Sequence, residues 1–169
     1  MMIQTDRLFL REMRQSDYPA LCRILQDADV MVAYEGAFSD AEAQAWLDKQ
    51  TGNYHEYGFG LWAVVLKSTG EMIGQCGLTM QDYNSQKVLE VGYLFNKAFW
   101  GQGYATEAAI ACRDHAFEIL HAPEVFSIIR NTNIASQNVA RRNGMTIKDT
   151  IVKHYRGIDM PHYVFSVKP

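Results

Sequence analysis

Trp100-Gly101-Gln102-Gly103-Tyr104-Ala105-Thr106-Glu107-Ala108 stands between an apolar, strand-like run, Val88 to Phe95, and a helical pattern reaching about Leu120. In that pattern Ala108, Ala109, Cys112, Ala116, Phe117 and Leu120 share a face. Glycines at a strand-to-helix turn let the backbone come close to a ligand. The first N–H groups of a helix have no internal partners, and with the helix dipole they suit an anion such as phosphate. The same glycines also suit a plain tight turn, and the local pattern does not separate the two. A Walker A loop is excluded, because no Gly-Lys pair occurs in the chain. The dinucleotide fingerprint fails as well, with Thr106 where its third Gly or Ala belongs.

Outward from this segment the pattern alternates. Toward the N-terminus, Met72 to Leu78 and Phe59 to Leu66 read as a hairpin joined by Lys67-Ser68-Thr69-Gly70, and a loop around Asp82 to Ser85 leads into the Val88–Phe95 strand. Ser39 and Glu42 form a capping box for a helix carrying Ala43, Trp46 and Leu47. Ser16 and Asp17 offer N-caps to an earlier helix with Leu21, Ile24, Leu25 and Ala28, and Leu8 to Leu10 begin a strand. Toward the C-terminus come a strand at Val125 to Ile129 and a helix at about Ala135 to Asn143, stopped by Gly144. Two strands follow, about Thr146 to Tyr155 and His162 to Val167, joined around Gly157. This order predicts an α+β fold: a mixed sheet of about six to seven strands flanked by about four helices, within one domain spanning residues 1–169. Its strand–helix–strand unit is expected to be parallel and right-handed.

Composition narrows the classes. Hydrophobic residues make up 48% and charged residues 21%, an ordinary globular balance, and a net charge of -3 argues against a nucleic-acid partner. Cys22, Cys76 and Cys112 are odd in number and lack a CxxC pair, which points to reduced thiols and a cytoplasmic location. The five histidines (His55, His115, His121, His154, His162) show no metal spacing, so no metal is expected. No apolar run approaches the roughly 20 residues of a membrane span, and Gln4, Asp6 and Arg7 make the N-terminus unlike a signal peptide. Tyr54, His55, Glu56, Tyr57 and Phe59 form a polar–aromatic cluster that suits either an edge over the core or a pocket wall.

The nine residues from Trp100 to Ala108 closely resemble the coenzyme A pyrophosphate loop of the GNAT acetyltransferases, in particular the RimJ/RimL branch of ribosomal-protein N-terminal (alanine/serine) acetyltransferases. Thr5-Asp6-Arg7-Leu8-Phe9-Leu10-Arg11 resembles the opening of that branch, and Glu71-Met72-Ile73-Gly74 and Glu90-Val91-Gly92-Tyr93 resemble its central strands. Asn133-Ile134-Ala135-Ser136-Gln137-Asn138-Val139, with Gly144-Met145, resembles its second cofactor motif, so the likeness covers nearly the whole chain.

The resemblance implies an N-acetyltransferase that uses acetyl-CoA as cosubstrate and passes the acetyl group to a primary amine by direct attack. The acceptor would be a protein N-terminus, or alternatively a polyamine, amino acid or antibiotic. A binding module that senses acyl-CoA without turnover is a third reading. The strand before the loop would splay from its parallel neighbour and receive the pantetheine arm at Tyr93, Leu94 and Phe95, with a backbone N–H near Leu94 as oxyanion donor. Amides of Gly101, Gln102, Gly103, Tyr104, Ala105 and Thr106 would hold the pyrophosphate. Asn133 and Asn138 would contact the cosubstrate, or cap the following helix. Glu90 is implied as general base and Ser136 as general acid. At Ala140, where many members carry a Tyr, no donor exists, and at Trp100 the family often has Arg or Gln. Glu107, in the first helical turn, suits a structural role. Monomer and homodimer are equally open.

Overall fold

The computed structural model describes residues 2–169. Eight strands form one sheet in the order β1-β2-β3-β4-β5-β6-β8-β7. They are β1 (Met2–Gln4), β2 (Leu8–Arg11), β3 (Leu61–Leu66), β4 (Met72–Tyr83), β5 (Gln86–Phe95), β6 (Val125–Arg130), β7 (Thr146–Tyr155) and β8 (Ile158–Val167). Four α-helices interleave: α1 (Tyr18–Leu25), α2 (Asp40–Tyr57), α3 (Tyr104–Glu118) and α4 (Ile134–Arg142). The expected class holds. The strand beyond the expected seven is β1, three residues whose pairing with β2 through the Thr5–Leu8 turn leaves no readable alternation. The loop expected at Asp82 to Ser85 is a two-residue turn, with Asn84 and Ser85 both at positive φ, so β4 and β5 run on to meet at Tyr83 and Gln86.

An apolar core lies on each face of the sheet. β3 is buried along its whole length. Its Trp62, Val64 and Leu66 pack toward α3, while Leu61, Ala63 and Val65 pack toward α1 and α2. A strand covered on both sides reads as a continuous apolar run because alternate residues serve opposite cores. α3 lies close to the sheet because its contact face is small: Ala108, Ala109, Cys112 and Ala116 are fully buried. α2 starts as expected, with Ser39 and Glu42 exchanging the two capping hydrogen bonds. Asp17, by contrast, does not cap α1. Its carboxylate is taken by Arg11 in a two-pronged pair, 2.8 Å at each oxygen, and by the Arg14 N–H.

β5 and β6 are the parallel pair. Their register is fixed at Glu90 and Phe126 only, and beyond that point the strands part. The Gly77 backbone sits against β3 so closely that a methyl group there would lie 2.0 Å from Gly60 O. Gly77→Ala is therefore expected to destabilise the fold by about 1–3 kcal/mol or more. Gly52→Ala, inside α2 with nothing within 4 Å of the new methyl, should stabilise by roughly 0.5–1 kcal/mol. Urea unfolding of the two variants checks both signs, and a wild-type midpoint for Gly77→Ala would contradict the close approach.

Candidate active site

The parting of β5 and β6 opens the site. Backbone groups of alternate residues along a strand point to opposite neighbours. The Ser127 hydroxyl donates to Val91 O across the gap at 2.8 Å, so odd-numbered residues of β5 face β6. Asn96 N–H donates to Ile73 O on the β4 side, so even-numbered residues face β4. Tyr93 and Phe95 thus direct their N–H and C=O groups into the gap, and Leu94 directs its own toward β4. Of the backbone N–H groups near Leu94, where the oxyanion donor is expected, those of Tyr93 and Phe95 face the opening and that of Leu94 itself faces β4. Unpaired backbone groups in a buried gap cost free energy unless a ligand or side chain meets them. Two side chains do so at its closed end: Ser127, as above, and Glu90, whose Oε2 accepts from Ile128 N–H at 2.9 Å. At the open end Trp100 Nε1 donates to Phe95 O at 2.9 Å, so the residue that departs from the family pattern meets one carbonyl of the gap.

The glycine-rich segment lies beside this opening. Gly101 and Gly103 adopt φ of +74° and +82°, a left-handed geometry that favours glycine. The first intrahelical bond of α3 runs from Glu107 N–H to Gly103 O. The N–H groups of Tyr104, Ala105 and Thr106 precede it and have no carbonyl within the helix to reach. The turn is held from outside by the β1–β2 hairpin. Glu107 accepts from the Thr5 hydroxyl (2.5 Å), the Arg7 N–H (2.9 Å) and Arg7 Nε (2.7 Å). Arg7 also donates to Gln102 O and lies over the Tyr104 ring, 4.4 Å from its centroid. Glu107 therefore clamps the loop, and the Thr5–Arg7 segment is the clamp's other half.

These elements line a cleft of about 1610 Å³ that includes Tyr93, Phe95, Gly101, Thr106, Ser136 and Asn138. That exceeds the roughly 300–1,000 Å³ of a pocket for a drug-sized ligand, and suits an elongated one. A second cleft of about 650 Å³ opens on the other side, between α2, the turn at Val30–Tyr34, and the β7–β8 hairpin. Tyr93, Leu94, Arg130, Asn133 and Ser136 line both clefts, so the two meet there. Tyr57 and Phe59 of the aromatic cluster, stacked at 5.7 Å, wall the second cleft. Tyr54 belongs to the core instead, with its hydroxyl donating to Leu61 O.

Of the expected site residues, Ser136 sits in the first turn of α4 at the junction of the clefts, with its carbonyl accepting from Tyr93 Oη at 2.8 Å. Asn133 caps α4 through Ser136 N–H at 3.1 Å, and Asn138 stands on the first cleft one turn later. Ala140 is buried, so α4 offers no hydroxyl at that position. Glu90 lines the second cleft, and burial raises its carboxyl above the ordinary value against the opposing effects of Lys153, the Ile128 N–H and Thr79. Among the described residues no group of three or more His, Cys, Asp or Glu is placed to hold a metal ion. No helix there is long and apolar enough to cross a membrane.

Sequence patterns did not mark two contributors. The Val30–Tyr34 turn reaches both clefts, and its Tyr34 ring packs edge-on against Phe38, Trp46 and Tyr155 at 5.6–6.4 Å. His162, on β8, lines the second cleft with its Nδ1 2.7 Å from Met160 O.

A parted parallel pair beside a clamped, glycine-opened helix N-terminus suits an extended ligand laid against the sheet. The chain belongs to the GNAT acetyltransferases: the family model described as "Acetyltransferase (GNAT) domain" matches residues 7–146. It is 39% identical over 150 residues to the Bacillus subtilis (strain 168) protein YkkB, covering 88% of this chain and 87% of that one. It is 30% identical over 164 residues to the FsC-acetyl coenzyme A-N(2)-transacetylase of Aspergillus fumigatus, covering 90% of this chain and 68% of that one. In fold it matches RimL, the ribosomal L7/L12 alpha-N-protein acetyltransferase solved in complex with coenzyme A, at a TM-score of 0.81 and 19% identity, covering 99% and 98% of the two chains. The protein is an acetyltransferase.

The clamp has a pH signature. Burial works to raise the Glu107 carboxyl, but the hydrogen bonds from Thr5 and Arg7 outweigh it and hold the group below its ordinary value of 4.5. A depressed carboxyl contributes stability above that value and loses it as pH falls through the folded one. Glu107→Gln should thus cost about 1 kcal/mol at pH 7, and the difference from wild type should be smaller at pH 3, below the ordinary carboxyl value. Urea melts at the two pH values read it directly, and an equal difference at both would contradict the clamp.

Proposed function

We propose that the protein transfers acetyl from acetyl-CoA to a primary amine, with a protein N-terminus as the acceptor. The observation that carries this is the meeting of two clefts at Tyr93, Leu94 and Ser136. The fit of the donor rests on three features: backbone groups of Tyr93 and Phe95 facing the gap, the three unbonded N–H groups at the start of α3, and glycines at positive φ that leave the loop backbone open. The pyrophosphate would rest on Gly101 to Thr106, and the pantetheine arm would follow β5. Asn138 would contact the outer part of the donor.

The reaction needs an oxyanion donor, a proton acceptor for the nitrogen and a proton for the departing sulfur. Tyr93 or Phe95 N–H supplies the first. Glu90 takes the proton shed by the nitrogen as the C–N bond forms, through water, and its raised basicity suits that work. Ser136 gives a proton to the sulfur as the C–S bond breaks. The attack is direct, without an acyl-enzyme. Kinship in fold to RimL motivates the N-terminal acceptor. The relation to the fungal N(2)-transacetylase favours a second reading, in which a small amine takes the acetyl group.

Release of free thiol from acetyl-CoA distinguishes these readings. Peptides with free N-termini should turn over, while the same peptides blocked at the N-terminus but carrying Lys should not. Turnover confined to polyamines, amino acids or aminoglycosides would favour the second reading, and thermal stabilisation by acetyl-CoA without any turnover would favour a sensor. Glu90→Gln keeps an oxygen for Ile128 N–H and so preserves the gap. It and Ser136→Ala should each lower kcat by about 10²-fold. If both stay within about threefold of wild type, these roles are wrong.

A further inference from the structure

An amine acceptor arrives largely as its ammonium, since a protein N-terminus has a pKa near 8 and a lysine near 10.4. Its nitrogen must lose two protons on the way to an amide, one before attack and one as the C–N bond forms. Glu90 accounts for the second only. The second cleft carries another group able to take the first, beside the junction of the clefts. Beyond the Glu90–Phe126 pair the strands part, and Leu94 and Arg130, four residues further on in each, both line the junction of the two clefts. On β8, the residue paired with Arg130 is His162. The imidazole thus lines the second cleft beside Arg130, which reaches the junction of the two.

The ring's chemistry is fixed by its neighbour. Met160 O can only accept, so Nδ1 carries the hydrogen of the 2.7 Å bond between them. In the neutral ring Nε2 then holds the lone pair. Charged and polar groups face this part of the cleft from every adjoining element. Arg130 lies on β6, bound to Glu35 and to Val32 O, and Lys153 on β7, paired across to Met160. Glu90 lies on β5, and Tyr34 on the Val30–Tyr34 turn. Burial lowers the imidazole's proton affinity below its ordinary value. Lys153 and Arg130 reinforce this, against the Met160 hydrogen bond. His162 therefore stands unprotonated at neutral pH, with its basic nitrogen defined.

We infer that His162 is a catalytic base, taking through Nε2 the first proton of the acceptor ammonium. Its inference rests on the acetyl-transfer reading above. The balance is simple: the ammonium gives one proton to Nε2, which returns it to solvent between turnovers. The neutral amine attacks the thioester carbon, the new C–N bond forms as Glu90 receives the second proton, and the C–S bond breaks with protonation of sulfur. The net reaction consumes ammonium and thioester and yields amide, thiol and one proton.

The test is the pH dependence of kcat/KM for thiol release, with whichever free amine of the acceptor panel turns over. In the wild type the reactive pair is ammonium with neutral imidazole, so the profile should reach a plateau by about neutral pH. In His162→Gln, whose amide N–H can still donate to Met160 O, only free amine reacts. For an N-terminal amine its profile should lie about 10-fold lower near pH 7 and keep rising to the amine's own pKa. His162→Ala should regain activity with added imidazole. Acetyl-CoA should stabilise all three proteins equally, which separates this inference from the donor assignment: stabilisation absent even in the wild type would sink the parent reading. A His162→Gln profile that matches the wild type in height and shape, with binding intact, would overturn the role of His162 alone. Should the variants not fold, nitrogen NMR of the wild-type ring decides: an Nδ1–H neutral imidazole at pH 7 is expected, and an imidazolium there would overturn it.

Discussion

The separation of two parallel strands governs the rest of the structure. β5 and β6 share a single register point and then diverge, which exposes backbone donors and acceptors inside an otherwise two-sided core. Such groups are costly when unmet, and the chain meets those at the closed end with its own side chains. Glu90 reaches Ile128 N–H, and Ser127 reaches Val91 O. The first is a stabilisation of about 1.5–3 kcal/mol and the second, between neutral groups, of about 0.5–1.5 kcal/mol. Together they act as a wedge: they satisfy the divergence where it starts and leave it open where Tyr93 and Phe95 face the cleft. The half-buried Glu90 carboxylate at this point is a structural strut, and burial raises it above its ordinary value.

Beside the opening lies the start of α3, with backbone N–H groups that meet no carbonyl of the helix. The glycine-rich turn is not rigid through its own contacts, since its glycines carry no side chains to pack. Its position comes from a hairpin about a hundred residues away, through Thr5, Arg7 and Glu107. This ties the first strands of the chain to the start of α3 and explains why so short a β1 is present. On the opposite side of the sheet the Val30–Tyr34 turn, α2 and the β7–β8 hairpin enclose the second cleft. Strand parity sends Glu90, Arg130, His162 and Lys153 to that same side, one from each of four neighbouring strands.

Much of this was legible in the residues. The capping box at Ser39 and Glu42, the small face of α3, and the glycine turn each follow from local chemistry, and the family resemblance assembled them into one fold. The β1 strand was not legible, because three residues carry no period. The Asn84–Ser85 turn was read as a longer loop, because Ser seldom signals positive φ. Asp17 looked like a helix cap, but Arg11, six residues earlier at the end of β2, took its carboxylate. The direction of the Leu94 N–H required the strand pairing. His162 was invisible for a related reason. What distinguishes it from the other four histidines is a carbonyl two residues earlier and a partner strand thirty residues away, neither of which leaves a motif.

The central claim is that the parted strands and the loop beside them receive acetyl-CoA along their exposed backbone. Residue-resolved amide hydrogen exchange, with and without acetyl-CoA, tests it most directly. The amides of Tyr93, Phe95 and Gly103 to Thr106 should slow markedly on addition of the donor, while Leu94, already directed at β4, should change little. Unchanged exchange at Tyr93, Phe95 and the loop, with protection appearing elsewhere or nowhere, would contradict the account.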